Sequence, residues 1–537
     1  MKNVTAILSL LHEPAGARCS AVRRFRNRPV LAWTLDRLAK CRELAGIAVL
    51  CWADQQMAVV EACGAMAVIR SRPRVALQEI ESVTAAQRWA DGWRGGLLAS
   101  CNFDLGFYGP WHHELATELQ SDAVVLVEPS AALVDPDLID GLVSHADADG
   151  SLEYAFAPAA PGLTGFLIRP TLLNRLAAAK AHPGRLMHYH PDQSSREPIA
   201  AANCLNIAAP IARTVHRFTL DNDRQVARIN AATESLNGQL ISSGAEELVR
   251  RSHATSHFGQ LPREIVLELN TKRASRPIFW PGQAANTQRE DLAVEQVARL
   301  CSELSSIDGT RITLGGIGDP LLHPQVFEII QAAHCDGHAT INIETDLLDL
   351  DESQLERLAA CEADVVSVNL PALSPQTYAA VMGRDALTMA VDNIRRLLAL
   401  RNKRGGVPIV AAVFTKCRQN LAEMEPWYDQ WIRALGAAVV RGPSDFVGKI
   451  PDVAIADMSP PGRRPCARLA SRITILSDGT IVACEQVVCG EKPLGKLGRD
   501  RLADVWKGGM QILRGDHLAG NLSNQPLCAA CREWHRP

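Results

Sequence analysis

Four cysteines toward the C-terminal end have the types and the spacing to hold a metal. Cys466 stands ahead of the apolar stretch Ile473–Leu476. A turn follows at Ser477–Asp478–Gly479, where glycine supplies the φ > 0 position of a tight reversal. Thr480–Ala483 then returns, and Cys484 follows directly. This pattern predicts a β-hairpin with a cysteine near each end. Further on, Cys528 and Cys531 form a CxxC, which lets two thiolates from one turn face one centre. Four soft ligands from three chain segments suit an iron–sulfur cluster or zinc. Cys489 is extra to the four and is read as structural.

Two other groups carry weaker chemistry. Arg18, Arg23, Arg24 and Arg26 crowd one loop and have the charge to bind an anion, or else form a solvated basic loop. His112–His113 and the His188/His190 pair have the spacing of metal pairs. Neither has a third ligand set by sequence, so they are read as surface or core histidines.

The elements that must position these residues follow from periodicity. Val4–Leu11, Gly46–Cys51, Met66–Arg70 and Val124–Val127 are predicted strands; a helix is predicted from Pro29 and another over Asp54–Cys63. Such βαβ alternation implies a mostly parallel sheet. The polar stretch 236–262, with Asn237–Gly238 and Ser242–Ser243–Gly244, is read as a helical or irregular linker. Beyond it, strands are predicted at Glu264–Leu269, Arg311–Leu314, Ala339–Ile343, Val365–Leu370, Val407–Phe414 and Ala437–Val440. Helices between them complete an open partial barrel of parallel strands, with loops at the strand C-terminal ends forming its mouth.

Composition bounds the rest. The chain has 537 residues, 47% apolar and 21% charged, with a net charge of −3. These values fit a folded multi-domain protein and give no basic stripe for nucleic acid. Fifteen scattered cysteines do not make a disulfide scaffold and point to a reducing cytoplasm. The apolar run Val4–Leu11 is short, holds Thr5 and Ser9, and is followed by His12 and Glu13. A buried first strand explains it better than a signal peptide. No apolar run reaches membrane-spanning length.

The C-terminal pattern resembles the SPASM domain of radical-SAM proteins. The likeness rests on Cys466, the Asp478–Gly479 turn with Cys484, Pro493–Leu494–Gly495, Leu502, Trp506, Arg514 and Pro526–Leu527–Cys528–Ala529–Ala530–Cys531. It implies one [4Fe–4S] cluster on Cys466, Cys484, Cys528 and Cys531. The central region resembles the radical-SAM core, most clearly in ITLGGIGDPLLHP, Ile312 to Pro324. There Gly315, Gly316 and Gly318 with Asp319 correspond to a vestigial S-adenosylmethionine site; glycine permits close backbone approach. The alternative is an ordinary glycine turn. Glu344–Thr345–Asp346–Leu347–Leu348, Pro375–Gln376–Thr377–Tyr378 and Lys416 with Asn420 match later landmarks. The defining CxxxCxxC is missing, its places falling on Arg273, Pro277 and Trp280. Asn369 and Pro371 replace a further expected Ser and Asp. Without an iron site open to S-adenosylmethionine its cleavage has no electron source, so that cofactor is not expected.

The N-terminal region resembles cytidylyltransferases of the glycosyltransferase-A-like fold. The likeness rests on Arg18–Leu38, Leu133–Asp140, Gly165–Arg169 and Arg217–Asp221 with Asp223. It implies that Arg18 and Arg23 contact a nucleotide phosphate. The first loop keeps only Gly16, and the family's metal-binding Asp falls on Ser130, which offers no carboxylate to Mg²⁺.

The expected architecture is α/β. A nucleotidyltransferase-like Rossmann-type domain covers 1–235, a linker 236–262, a partial (β/α)6 TIM-like barrel 263–450 and a small SPASM-like iron–sulfur domain 451–537. The combination resembles spiro-SPASM fusion proteins. The expected function is a cytoplasmic iron–sulfur protein that has lost S-adenosylmethionine cleavage and acts in binding, as a scaffold or in electron transfer. Nucleotidyl or glycosyl transfer by the first domain is the alternative, and active radical chemistry a second one. The partner is expected to be a small molecule or a protein, with neither nucleic acid nor membrane involved.

Overall fold

A computed structural model describes residues 1–89, 105–254, 259–282 and 287–536. The chain divides into two compact units, Met1–His257 and Phe258–Pro537.

The first unit is built on β1 (Val4–Ser9), whose residues are all buried. Val4, Ala6 and Leu8 face one apolar core and Ile7 faces the other. A strand buried on both faces belongs at the centre of a parallel sheet. With β2 (Gly46–Trp52), β3 (Val68–Arg72), β4 (Ala123–Val127), β5 (Tyr154–Phe156) and β6 (Phe166–Ile168), the order is β3-β2-β1-β4-β6-β5. β1 to β4 run parallel, and β6 is antiparallel to β4. Asp135 caps the helix Pro136–Ala148, accepting from Asp137 N at 2.9 Å, with proline at the first turn.

Residues 236–254 of the stretch expected to be a linker pack in this unit. Residues Glu234–Ser242 form a 3₁₀ helix and Ala245–Ala254 an α-helix. Leu236, Leu240, Ala245, Leu248 and Val249 join the first core. Buried Arg37 donates to the carbonyls of Leu240 at 2.9 Å and Ser243 at 2.8 Å. Polar residues coat the outer face of these helices, and the apolar residues at helical spacing decide where they pack. Residues 255–258 of the expected linker lie outside the described residues.

The second unit contains the six expected parallel strands: β7 (Glu264–Glu268), β8 (Thr310–Gly315), β9 (Ala339–Thr345), β10 (Val365–Asn369), β11 (Ile409–Thr415) and β12 (Ala438–Arg441). They are adjacent in chain order and parallel throughout. The cysteine hairpin is not a separate layer. Its strands β13 (Arg472–Ile475) and β14 (Thr480–Val482), with β15 (Gly495–Lys496), extend the same sheet to nine strands. β13 lies parallel to β7, with Ile473 opposite Ile265 and Ile475 opposite Leu267. Leu497, Leu502, Trp506 and Met510 share the barrel's apolar core. The expected boundary near residue 450 therefore separates no two cores. A short hairpin buries too little by itself and gains its stability on the barrel edge.

Cys301 and Cys335 form a disulfide with Cα atoms 5.3 Å apart, a pairing their scattered spacing does not predict. The other described cysteines are free. Among the described residues no helix is long and apolar enough to cross a membrane.

Candidate metal centre and barrel mouth

The four cysteines lie on three segments of the second unit, and the Cys466 sulfur acts on each of the other three. Cys466 precedes the 3₁₀ turn Arg468–Ala470 that leads into β13, and Cys484 follows β14. Cys528 lies on the helix Pro526–Ala530, and Cys531 is its C-terminal cap. All four are half-buried. Arg463 pins the CxxC turn, donating to the carbonyls of Cys528 at 2.5 Å and Cys531 at 2.8 Å. The Glu533 N–H donates to Cys531 Sγ at 3.2 Å, a contact that favours a thiolate. The Cys466 N–H donates to His517 Nδ1 at 3.3 Å.

Burial and then the Cys466 and Cys531 sulfurs push the Cys528 thiol up to about 11. Burial raises Cys484 and Cys531 as well, with Cys466 adding to both. These thiols sense one another and resist ionising alone. A bound cationic metal reverses that preference, because thiolate is the ligating form. Four soft donors, three of which sense the Cys466 sulfur, with Arg463 and Arg468 close by, fit an iron–sulfur cluster. Cys489 stays outside the set, packed with Trp280 beside Ile317, Phe446, Ile450 and Val488.

The barrel mouth is closed by its own side chains. Arg273, in the loop after β7, has a side chain only 8% exposed. Its Nη1 pairs with Asp346 Oδ1 at 2.6 Å, beyond β9. Its Nε donates to the Ile317 carbonyl at 3.0 Å and Nη2 to Gly318 at 3.2 Å. Ser275 Oγ also donates to Asp346, and Asn369 Nδ2 does so at 3.0 Å. Trp280 Nε1 donates to the carbonyls of Gly316 at 3.0 Å and Ile317 at 3.1 Å.

In the glycine turn, Arg273 and Trp280 engage the carbonyls of residues 316 to 318. Two of its glycines are demanded by packing inside the protein. Gly316 has φ +104°, and a Cβ there falls 2.7 Å from the Glu268 side chain. A Cβ on Gly318 falls 2.2 Å from the Asn270 carbonyl oxygen. No such demand falls on Gly315, whose nearest neighbour to a Cβ is 3.5 Å away. Asp319 is 3% exposed, and both of its carboxylate oxygens accept hydrogen bonds. Oδ2 accepts from Thr345 Oγ1 at 2.9 Å and Asp346 N at 2.8 Å, and Oδ1 from Leu321 N at 3.0 Å. Burial, then the neighbouring Asp346 carboxylate, push its carboxyl up to about 6.

Trp280 packs edge-on against Phe446 at 5.5 Å, with the Arg273 guanidinium 5.4 Å from its ring centroid. Trp280→Ala is expected to lower stability by about 2–3 kcal/mol through lost apolar burial. Urea denaturation should show this loss while iron content stays at the native level. A midpoint unchanged from the native chain removes the plug role.

In the first unit, Arg18 sits half-buried on the 3₁₀ turn Gly16–Arg18. Arg23 is 5% exposed; it pairs with Asp223 and donates to the Arg18 carbonyl at 3.3 Å. Its guanidinium is thus tied to other groups of the first unit. His112 is a core histidine, hydrogen-bonded to the Tyr108 carbonyl at 2.8 Å and pushed by burial down to about 4. Sequence reading missed one group. His12, Glu13 and Glu128 meet at the ends of two neighbouring strands, and the parallel β1–β4 order was the signal that joins them.

Comparison with known proteins fits both halves of the second unit. Residues 277–415 match the radical SAM superfamily, and residues 466–532 match the SPASM iron–sulfur cluster-binding domain. The second unit is of the radical-SAM/SPASM type. The radical-SAM match starts at Pro277, beyond Arg273, and the SPASM match contains all four converging cysteines. An uncharacterized protein of Treponema pallidum (strain Nichols) is 25% identical over 326 residues, 58% of this chain and 86% of that protein. Among solved structures, SuiB of Streptococcus suis is similar at 14% identity and TM-score 0.40, over 56% of this chain and 80% of its own. A cytidylyltransferase from Leptospira borgpetersenii is similar at 13% identity and TM-score 0.32, over 47% of this chain and 93% of its own.

Proposed function

We propose that this radical-SAM/SPASM-type protein no longer cleaves S-adenosylmethionine and serves in the cytoplasm as a binding, scaffold or electron-transfer component. One [4Fe–4S] cluster is assigned to Cys466, Cys484, Cys528 and Cys531, with zinc as the alternative occupant. The partner is a small molecule or another protein. The observation that carries the reading is Arg273. It stands in a place where the family has a cluster-binding thiolate, and a guanidinium does not ligate iron. It is tied to Asp346 and to the carbonyls of Ile317 and Gly318. Homolytic cleavage needs an electron delivered through a cluster with an open iron position, and this loop offers it no ligand.

The test is anaerobic incubation with dithionite and S-adenosylmethionine, followed by assay for 5′-deoxyadenosine. Yield at the no-protein background is the expected result. Production above background that needs Asp319 overturns the reading and restores radical chemistry. Transfer of a nucleotidyl or glycosyl group in the first unit stays as the second reading. The Glu128 carboxylate supports it, standing two residues before Ser130 and 3.5 Å from its Oγ.

A further inference from the structure

The first unit gathers three metal-ligating side chains that neither the iron–sulfur reading nor the radical-SAM/SPASM match uses. His12 and Glu13 follow β1, and Glu128 follows β4. The two strands are parallel neighbours, with Leu8 opposite Val127. One candidate ligand atom from each residue lies within 4.8 Å of the other two. His12 is 7% exposed, Glu13 8% and Glu128 5%.

The hydrogen bonds of the group leave it incomplete. Glu13 Oε2 accepts from Ser20 N at 2.7 Å and from Ser20 Oγ at 2.9 Å. Glu128 Oε1 faces His12 Nε2 at 2.9 Å and accepts from Gln87 Nε2 at 3.1 Å. The second carboxylate oxygen, Glu128 Oε2, is buried with no hydrogen-bond partner, as is His12 Nδ1. A buried carboxylate oxygen with no donor is uncommon in a folded protein and signals a missing partner. On the Nδ1 side the chain closes over the ring, since a Cβ at Gly106 falls 1.7 Å from that nitrogen. Nε2 is therefore the nitrogen turned toward the carboxylates. Two ligands each about 2.1 Å from one cation, at a right angle, stand about 3 Å apart. Nε2 and Oε1 stand 2.9 Å apart in a hydrogen bond, a separation that a cation bound by both can take over without moving them apart.

We propose that His12, Glu13 and Glu128 form a divalent-cation site in the first unit. One imidazole with two carboxylates is a mixed donor set suited to Mn²⁺ or Zn²⁺ rather than to a soft thiophilic metal. The site supplies a carboxylate-bound cation beside Ser130, at the position where serine itself offers none. It does not depend on the cysteine cluster, which belongs to the other unit.

The test uses the full chain with its iron in place and Mn²⁺ alone as the probe. Manganese and iron are counted separately by element, so cluster iron does not mask the result. The expected outcome is one Mn²⁺ per chain, with pulsed electron paramagnetic resonance showing coupling to one imidazole nitrogen. Glu128→Gln is expected to weaken binding about tenfold or more. His12→Gln is expected to remove the nitrogen coupling. Absence of stoichiometric Mn²⁺ on the native chain overturns the proposal, and so does bound Mn²⁺ without nitrogen coupling. Should the variants fail to fold, the native spectrum alone decides.

Discussion

Replacing Cys466, Cys484, Cys528 and Cys531 together by serine is expected to leave the chain without bound iron, against about four irons per native chain for a four-thiolate cluster. The loss should be total rather than graded. The sulfurs come from three segments and already sense one another, so no alternative group of four takes over. Serine keeps the volume and removes the soft donor, which isolates ligation from packing. Anaerobic purification with iron and sulfide analysis makes the measurement. About eight irons per native chain, or iron retained in the quadruple variant, rejects the single-cluster assignment. Zinc in place of iron on the native chain moves the site to its alternative occupant.

Arg273→Met is expected to cost the second unit about 3–5 kcal/mol, the range for breaking a buried pair and leaving one charge behind. Asp346, 0% exposed, loses its cation, and Asp319 remains beside it. The deficit should depend on pH. In the fold, Asp319 is raised from 3.8 to about 6. A carboxyl raised in this way contributes stability that is complete below its unfolded value and is lost as pH rises through about 6. Arg273 opposes that rise. Without it the carboxyl moves higher still, so the variant falls further behind the native chain at pH 8 than at pH 5.5. Urea denaturation at the two pH values gives both numbers. Equal deficits at both show that Arg273 stabilises by packing and not by holding the carboxylates.

Local patterns were legible in the sequence, and contacts across the chain were not. The hairpin of Cys466 and Cys484 rests on the turn at Gly479, and the six barrel strands on apolar runs; both are short-range signals. The absence of thiols at Arg273, Pro277 and Trp280 was also plain. What Arg273 does instead was hidden, because its partner Asp346 follows a different strand. Asp319 was placed by resemblance in a vestigial S-adenosylmethionine site. Only the fold shows its oxygens already taken by Thr345, Asp346 and Leu321. The stretch 236–262, read on its serines and glycines as a helical or irregular linker, is helical over Glu234–Ser242 and Ala245–Ala254. Leu236 and Leu240, and Ala245, Leu248 and Val249, already had helical spacing. Burial at one helix face outweighs polar composition elsewhere.

The alignment of β13 along β7 has a consequence for how the chain can be cut. Within the second unit, β7 has β8 on one side and β13 on the other. Ending the protein at Ile450 strips one flank of Glu264–Glu268 and bares a row of unpaired N–H and C=O groups. Such a seam accepts any extended segment, including the same seam on another copy. The shortened protein is then a template for edge-to-edge self-association. The cysteine-bearing tail is thus also a guard strand, protecting solubility by a means that owes nothing to its metal.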